Sequence, residues 1–426
     1  MTELPESWKM CALEDLCAGK DAIVDGPFGS NLKRSDYGLS GIPVLKIQNI
    51  KENQIVIKKM DFVSEVKFRD LERHSYTDGD IVMTKLGDPL GISAIVSGVA
   101  SGLIVADLVR IRPTSIDTRF LCYQLNSPFM QAFLNGQQKG TTRPRVNLSM
   151  VRGLPVSVPP LAEQHRIVEI LEEQFSRLDA ALASIRTVRE KAAAFRISYL
   201  HDIFTNDSTG LLRLEPIALH KLLALSIGGI WGDEPGVGEV DVNVIRVTEL
   251  KAFGKIEPST ASRRSVSHKQ LLGRELLDGD LLLEKSGGGP KTPVGRVGLV
   301  DGTGAGCVCS NFMQLMRPDG DQIHSRYLFH FLNYFHLAGK TSVLQTSTTN
   351  IRNIKASEYL ETPVPMGIVD DQRQIVAFVE AELSRLNSAL IVCDQLESRI
   401  ASQRRSLLHA AFAGALTAQW RETQLV

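Results

Sequence analysis

A helical stretch that occurs twice constrains this chain more than any other feature. Residues 159–204 open with Pro159 and Pro160, contain no later glycine or proline, and are rich in Ala, Leu, Glu, Arg and Gln. Prolines in the first turn followed by strong helix formers are a typical helix start. Apolar residues recur every seventh position, at Leu171, Leu178, Ile185, Ala192 and Tyr199, and the adjoining position is mostly filled by Ile167, Phe175, Leu182 and Phe195. This spacing predicts one long helix with a coiled-coil seam, which needs a helical partner.

The partner helix lies in the same chain. Residues 371–376 (DQRQIV) repeat the pattern of residues 163–168 (EQHRIV) 208 positions later, and residues 383–390 match 175–182 at the same offset. The seam also recurs, as Val379, Leu386, Cys393, Ile400 and Leu407. The sequence therefore contains an internal duplication.

The segments before the two helices also resemble each other. Val44–Ile47 matches Val244–Val247, and Asp78–Lys85 matches Asp278–Lys285, both 200 positions apart, whereas the loops between them differ. Both segments alternate short apolar strands with glycine-rich turns. We predict an α+β fold in which two strand-rich α/β domains are separated by two long antiparallel helices that form a coiled-coil spacer, with pseudo-twofold symmetry. The predicted boundaries are 1–155, 156–208, 209–362 and 363–426.

Composition narrows the class of protein. The chain has 426 residues, of which 43% are hydrophobic, and it carries 48 basic and 48 acidic side chains. A balanced charge argues against a surface that binds polyanions indiscriminately, but it allows basic groups to gather on one face. The sequence has no apolar run long enough to span a membrane, and we expect no signal peptide. Six cysteines without framework spacing suit a reducing compartment. The sequence predicts a cytoplasmic protein.

Motifs for catalysis or metal binding are weak. Residues 286–292 (SGGGPKT) imitate only the end of a phosphate-binding loop, with Pro290 at the position of a required glycine, so we interpret them as a flexible loop. Cys307 and Cys309 have no second cysteine pair and are interpreted as buried small residues. The Asp-Gly-Asp segments at 78–80 and 278–280 are interpreted as turns. We expect no catalytic residue and no metal site in this chain.

The order of motifs along the chain resembles the specificity subunits of type I restriction-modification systems. The motifs are residues 25–30 (DGPFGS) before 42–44, residues 159–164 (PPLAEQ) with their repeat at 371–372, and the terminal segment 414–422 (GALTAQWRE). The resemblance extends over essentially the whole chain. Two departures are Asp371 where a glutamate is usual, and the absence of a proline directly before the second helix.

The resemblance implies a non-catalytic DNA-binding subunit with two target-recognition domains. Each domain would read one half of a bipartite, asymmetric site in double-stranded DNA, and the paired helices would fix the unread spacer. Two modification subunits would dock on the helical regions and methylate adenine with S-adenosylmethionine, and restriction subunits would use ATP and Mg. No cofactor would be bound by this chain, and no membrane is involved.

Candidate DNA contacts are polar and basic residues in loops, because Arg suits guanine, Asn and Gln suit adenine, and Lys mostly contacts phosphate. In the first domain these are Lys33, Arg34, Lys46, Gln48, Asn49, Lys85, Arg143 and Arg145. In the second they are Arg246, Lys285, Ser286, Lys291, Thr348, Thr349 and Arg352. Each could instead be a solvated charge or a turn residue.

Three other functions stay open on the sequence. One is a specificity adapter for a stand-alone adenine methyltransferase without a nuclease. Another is a scaffold whose two domains bind proteins. The third is an enzyme whose site has no recognisable motif.

Overall fold

The computed structural model describes residues 4–137, 145–288, 293–302, 304–348 and 351–424. The chain divides into two compact units, one formed by 1–185 with 394–426 and the other by 186–393. Within the described ranges, no helix is both long enough and apolar enough to cross a membrane.

The first unit contains twelve short strands among its described residues. They are β1 (Lys9–Ala12), β2 (Ile23–Asp25), β3 (Ile42–Leu45), β4 (Ile50–Lys51), β5 (Gln54–Ile55), β6 (Asp61–Val63), β7 (Ser75–Tyr76), β8 (Ile81–Thr84), β9 (Ser93–Ile95), β10 (Gly102–Ile104), β11 (Leu108–Ile111) and β12 (Pro155–Val158). They form two four-stranded sheets, ordered β2-β11-β8-β9 and β6-β3-β10-β7, and the pairs β1-β12 and β4-β5.

Four short helices of the first unit precede a long one. They are α1 (Glu65–Asp70), α2 (Thr118–Leu125), α3 (Pro128–Gly136) and α4 (Leu148–Arg152), followed by α5 (Leu161–Phe204), which continues into the second unit. The largest apolar core of this unit joins β8, β11 and α2 to the first turns of α5. The position of α5 therefore depends on the same core that holds the sheet.

The second unit repeats this architecture. Its strands are β13 (Leu214–Ala218), β14 (Leu223–Gly228), β15 (Val240–Ile245), β16 (Ser262–Val266), β17 (Leu281–Glu284), β18 (Ser286–Gly287), β19 (Val297–Leu299), β20 (Val308–Cys309), β21 (Met313–Pro318), β22 (Gln345–Thr348), β23 (Ile351–Ile354) and β24 (Pro363–Met366). Its helices are α6 (His268–Leu271), α7 (Ser325–Leu337), α8 (Ala356–Leu360) and α9 (Val369–Phe412), and α10 (Ala418–Gln424) follows α9 in the first unit.

Strand order shows that the two units share one fold. The sheet β14-β21-β17-β19 has the connectivity of β2-β11-β8-β9, and the parallel pair β15-β20 corresponds to the parallel pair β3-β10. The additional sheet β18-β23-β22 belongs to the second unit. The predicted mixed α+β class and internal duplication are confirmed.

The long helices pair in opposite directions inside each unit. In the first unit, Asp179 of α5 forms an ion pair with Arg404 of α9, while Leu171 near the start of α5 shares a core with Phe412 at the end of α9. In the second unit, the Tyr199 hydroxyl donates to the Phe378 carbonyl over 3.3 Å. All residues predicted at the seven-residue spacing are buried or half-buried, whereas Phe195, which was predicted at the adjoining position, is 44% exposed and stacks on Tyr199.

A buried glutamine attaches each long helix to its own unit. Gln164 accepts a hydrogen bond from the Asp117 backbone N–H and donates to the Pro159 carbonyl, both over 2.8 Å. Its repeat, Gln372, accepts from the His324 backbone N–H and donates to the Gly367 carbonyl, again over 2.8 Å. Buried amides are stable when both ends are paired in this way. The repeated glutamine of the sequence motif is thus a structural residue.

The glutamate beside that glutamine connects both ends of the chain in the first unit. Glu163 is 1% exposed, accepts from the Trp8 indole over 3.1 Å and from the Thr417 hydroxyl over 2.6 Å, and forms an ion pair with Arg421. The terminal segment 414–422 therefore contacts the start of α5.

Candidate nucleic-acid interface

The same backbone hydrogen bond, made just past a sheet strand, occurs in both units beside the predicted DNA contacts, and we call each of these places a corner. The Lys85 carbonyl, just past β8, accepts a hydrogen bond from the Val146 N–H over 3.0 Å. The Lys285 carbonyl, just past β17, accepts one from the Ile354 N–H over 2.8 Å. Leu86 pairs with Arg145 in one unit and Ser286 with Asn353 in the other. The fold thus brings Lys85 near Arg145, and Lys285 and Ser286 near Arg352.

The lysine of the first corner is neutralised. Lys85 has a side chain only 5% exposed, and its ammonium lies 2.9 Å from the Asp25 carboxylate at the end of β2. Asp25 opens the loop of residues 25–30, where a side chain on Gly26 would collide with the Val105 backbone. A buried lysine paired with a half-buried carboxylate has little positive charge left for a phosphate.

The lysine of the second corner has no such carboxylate. Gly26 and Gly229 make matching 3.1 Å hydrogen bonds to the first residues of the next sheet strand, Leu108 and Met313, so Gly228 stands where Asp25 stands in the first unit. The Lys285 ammonium would lie 3.3 Å from a Cβ built on Gly228. In the described part of the chain, Lys285 makes no ion pair.

Arg274 adds a second cation to this corner. Its guanidinium donates to the Gly228 carbonyl over 3.1 Å and makes no ion pair within the residues described here. The corresponding contact in the first unit runs from the His74 ring nitrogen to the Asp25 carbonyl over 2.6 Å. Arg274 is not among the residues predicted from the sequence, although the 200-residue offset that aligns Asp78 with Asp278 also aligns it with His74. Lys285 and Arg274 together form a half-buried cationic group, called the Gly228 corner below.

Two other predicted cations cap short turns. The Lys46 backbone N–H donates to Asn49 over 2.9 Å, and the Arg246 backbone N–H donates to Glu249 over 2.8 Å, at matching positions of the two units. Lys46 also pairs with Asp61 and lies over the Tyr37 ring at 4.1 Å.

Asn49 itself is fully buried, and its amide donates to the Val56 carbonyl over 2.9 Å and the Lys58 carbonyl over 3.3 Å. Both polar atoms of the Asn49 side chain are therefore already hydrogen-bonded within the fold, and base reading by Asn49 stays a prediction. The amide of Gln48 is exposed and donates to the Lys59 carbonyl over 3.2 Å.

The remaining predicted contacts differ in exposure and in partners. Lys33 and Arg34 are exposed and make no ion pair in the described structure. Arg145 is 54% exposed and lies 3.7 Å from Asp107. The Ser286 hydroxyl hydrogen-bonds Asn353, and Arg352 donates to Gln345 over 3.4 Å on the β18-β23-β22 sheet. Thr348 ends β22, while Arg143, Lys291 and Thr349 lie outside the described residues.

The interpretations of the weak motifs can be compared with the structure. Asp80 and Asp280 accept backbone N–H groups from Thr77 and Leu277 and pair with Arg112 and Arg317, as turn residues do. Cys307 and Cys309 are buried, and burial raises the pKa of the Cys309 thiol to about 12. Among the described residues, no group of three His, Cys, Asp or Glu side chains could hold a metal.

Part of the phosphate-loop imitation is ordered. Ser286 and Gly287 form β18, which pairs with β23, so these two residues are not a flexible loop as predicted from the sequence. Residues 289–292 of that motif lie outside the described part of the chain.

A family model and curated relatives are similar to this chain, and all of them concern type I restriction specificity. Residues 5–186 match the family model described as "Type I restriction modification DNA specificity domain". The StySPI specificity subunit of Salmonella potsdam is 22% identical over 92% of this chain and 85% of its own length. The EcoKI specificity subunit of Escherichia coli strain K12 is 21% identical over 98% of this chain and 91% of its own.

Solved structures share the fold. A chain from a study titled "Structural basis underlying complex assembly and conformational transition of the type I R-M system" aligns with a TM-score of 0.72 and 18% identity, covering 97% of this chain and 99% of that one. The HsdS subunit of Thermoanaerobacter tengcongensis aligns with a TM-score of 0.52 and 17% identity, covering 97% and 98%. With the duplicated fold and the paired motifs, these matches show that residues 5–186 correspond to a type I restriction modification DNA specificity domain, and that the chain is similar to type I specificity subunits along most of its length.

Proposed function

We propose that this chain is the DNA sequence-recognition subunit of a type I restriction-modification enzyme. Each target-recognition domain reads one half of a bipartite, asymmetric site, and the long helices set the unread spacer and dock two modification subunits. The chain itself carries no catalytic group. S-adenosylmethionine belongs to the modification partners, and ATP and Mg belong to the restriction partners.

The observation that supports reading of two half-sites is the pair of matched corners. Their backbone hydrogen bonds coincide, whereas the side chains around them differ, with Asp25 and Lys85 in one unit and Gly228 and Lys285 in the other. A shared scaffold with different surface groups is the usual way in which related domains recognise different ligands.

Domain exchange tests this proposal. Residues 1–155 are replaced by the corresponding segment of the Salmonella potsdam relative, and the adenine-methylated motif is mapped in cells that carry the modification subunit. One half of the motif should change, while the other half and the spacer stay the same. The reciprocal exchange replaces 209–362 and should change the opposite half. A motif altered in both halves by either exchange would contradict separate reading.

The Gly228 corner gives a second prediction. Gly228→Asp should place a carboxylate beside Lys285, as Asp25 does beside Lys85, and thereby neutralise it. If Lys285 contacts a phosphate, we expect about tenfold weaker DNA binding by the assembled methyltransferase near 0.1 M salt, and a salt dependence of log K that is shallower by about 0.9. Lys285→Ala should have the same effect.

Titration of fluorescent DNA over a range of salt concentrations measures both quantities. Lys221→Ala is the matched control, because Lys221 is an exposed lysine of the same unit that lies next to β13 and away from the corner. An equal loss of DNA affinity in Lys285→Ala and Lys221→Ala would exclude the Gly228 corner from the DNA interface.

A further inference from the structure

A pocket of the first unit lies at the end of α9. It has a volume of about 310 Å³, and its lining includes Met10, Ser127, Phe129, His409, Phe412 and Ala413. Met10 is 50% exposed and Phe129 is 38% exposed, so apolar surface borders the opening. In the described structure, the His409 side chain is exposed and makes no hydrogen bond. The pocket combines an aromatic wall with one free imidazole.

The internal repeat provides the corresponding region of the second unit. Asn126 and Asn333 each donate to a helix carbonyl four residues earlier over 3.1 Å, which aligns Ser127 with Tyr334. The ring pair Phe120–Phe412, at 5.4 Å and 67°, matches the ring pair Tyr327–Phe204, at 5.5 Å and 69°. The 208-residue offset then aligns His409 with His201 and Ala413 with Thr205.

In the second unit a tyrosine of the chain occupies that region. Tyr334 is 1% exposed, and its ring stacks on Phe204 at 5.9 Å. Its hydroxyl lies 2.8 Å from His201 Nδ1 and 2.9 Å from the Thr205 hydroxyl. The aromatic wall and the imidazole are therefore a binding site for a phenol within this protein.

In the first unit no side chain takes this role among the described residues. Helix α7 runs through Tyr334, whereas the matching helix α2 ends before Ser127 and a new helix starts at Pro128. The Ser127 hydroxyl accepts from the Met130 N–H over 3.3 Å and so caps α3. Phe412 and His409 keep the positions of Phe204 and His201 without the tyrosine between them.

We propose that this pocket of the first unit receives a tyrosine side chain from a partner protein. The ring stacks on Phe412, and the phenol hydroxyl bonds to His409, as Tyr334 does with Phe204 and His201. The partner in question is the modification subunit, an identification that rests on the function proposed above. Tyrosine suits such a place, since its ring supplies apolar contact and its hydroxyl needs a polar partner when buried.

The pocket itself is tested with p-cresol, which is the tyrosine side chain as a free molecule. NMR titration of the full chain should show p-cresol binding more tightly than toluene. His409→Ala should weaken p-cresol binding about fivefold and leave toluene unchanged, because only the phenol loses a hydrogen bond. His201→Ala is the matched control and should leave p-cresol binding as in wild type. Equal binding of the two ligands to the wild-type chain would overturn the proposal.

The partner is tested by blocking the pocket. Ala413→Trp should fill it, abolish p-cresol binding and weaken association with the purified modification subunit about tenfold. Ser127→Tyr, which introduces the residue found at position 334, should act in the same direction and serves if the tryptophan variant does not fold. If the modification subunit binds wild type and both blocked variants equally, the inference fails and the proposed function stands. If it does not bind wild type at all, the proposed function fails.

Discussion

Replacing Glu163 with alanine should destabilise the first unit by about 3–5 kcal/mol, the cost of leaving one partner of a buried ion pair alone. Glu163 is 1% exposed and accepts hydrogen bonds from Trp8 and Thr417 in addition to its ion pair with Arg421. Removal of the carboxylate leaves the Arg421 guanidinium, whose side chain is 20% exposed, without its counter-charge. Urea unfolding combined with peptide-resolved hydrogen–deuterium exchange measures the loss and locates it.

The internal repeat supplies the control. Asp371 occupies the position of Glu163 at the start of α9, is half-buried, and makes no side-chain hydrogen bond or ion pair in the described structure. Asp371→Ala should therefore cost less than about 1 kcal/mol. Exchange protection should fall around β1, α10 and the start of α5 in the Glu163 variant alone. A similar loss in both variants would show that the carboxylate network does not hold the chain ends.

Acid should weaken the second unit through Glu249. Burial by itself would raise the pKa of this fully buried carboxyl, but hydrogen bonds from the Arg246 side chain and backbone, Thr260 and Thr248 lower the pKa to about 2. A carboxyl whose pKa is lowered by folding stabilises the protein above its ordinary pKa near 4.5, and this stabilisation is lost as the pH falls towards 2. The shift corresponds to about 3 kcal/mol.

Glu249→Gln tests the size and the sign of this effect. At pH 7 the variant should be about 3 kcal/mol less stable than wild type, and near pH 2 the difference should shrink to about 1 kcal/mol or less. Urea unfolding at several pH values, followed by peptide-resolved hydrogen–deuterium exchange, measures the second unit. The first unit carries the neutral Asn49 at the matching position, so its exchange protection should not change. A difference in unfolding free energy between Glu249→Gln and wild type that stays constant from pH 7 to pH 2 would contradict a lowered pKa of Glu249.

Much of the fold could be predicted because the sequence contains two copies of each pattern, so that an element predicted in one copy could be compared with the other. Seven-residue spacing together with two copies of the Glu/Asp-Gln segment located both long helices, and the shared Asp-Gly-Asp turns aligned the two sheets. The seam failed at Phe195, because a ring on a half-exposed helix can stack on a neighbour four residues later instead of entering the core.

The candidate site was less predictable, because the charge available to a ligand depends on pairing across the fold. Lys85 and Lys285 occupy matching positions after the two Asp-Gly-Asp turns, yet Lys85 pairs with a carboxylate sixty residues earlier and Lys285 lies beside a glycine. Arg274 was not predicted from the sequence for the same reason, since its place in the Gly228 corner comes from a hydrogen bond to the Gly228 carbonyl and not from its neighbours in sequence. The sequence offered Asn49 as an amide that suits adenine, but it does not reveal that this side chain is buried and accepts a hydrogen bond from the Lys46 N–H.

Within the described part of the chain, the side-chain hydrogen bonds of the two buried glutamines go to main-chain atoms, namely the N–H groups of Asp117 and His324 and the carbonyls of Pro159, Gln322 and Gly367. Every amino acid has a backbone carbonyl and all but proline have a backbone N–H. These hydrogen bonds therefore place almost no demand on the side chains of the domain to which the helix is attached. A strand-rich domain from a distant relative, joined to these helices by genetic recombination, would therefore keep the hydrogen bonds of the two glutamines. On the function proposed above, exchange of a whole half would change one half-site in a single step, whereas point mutations would have to accumulate.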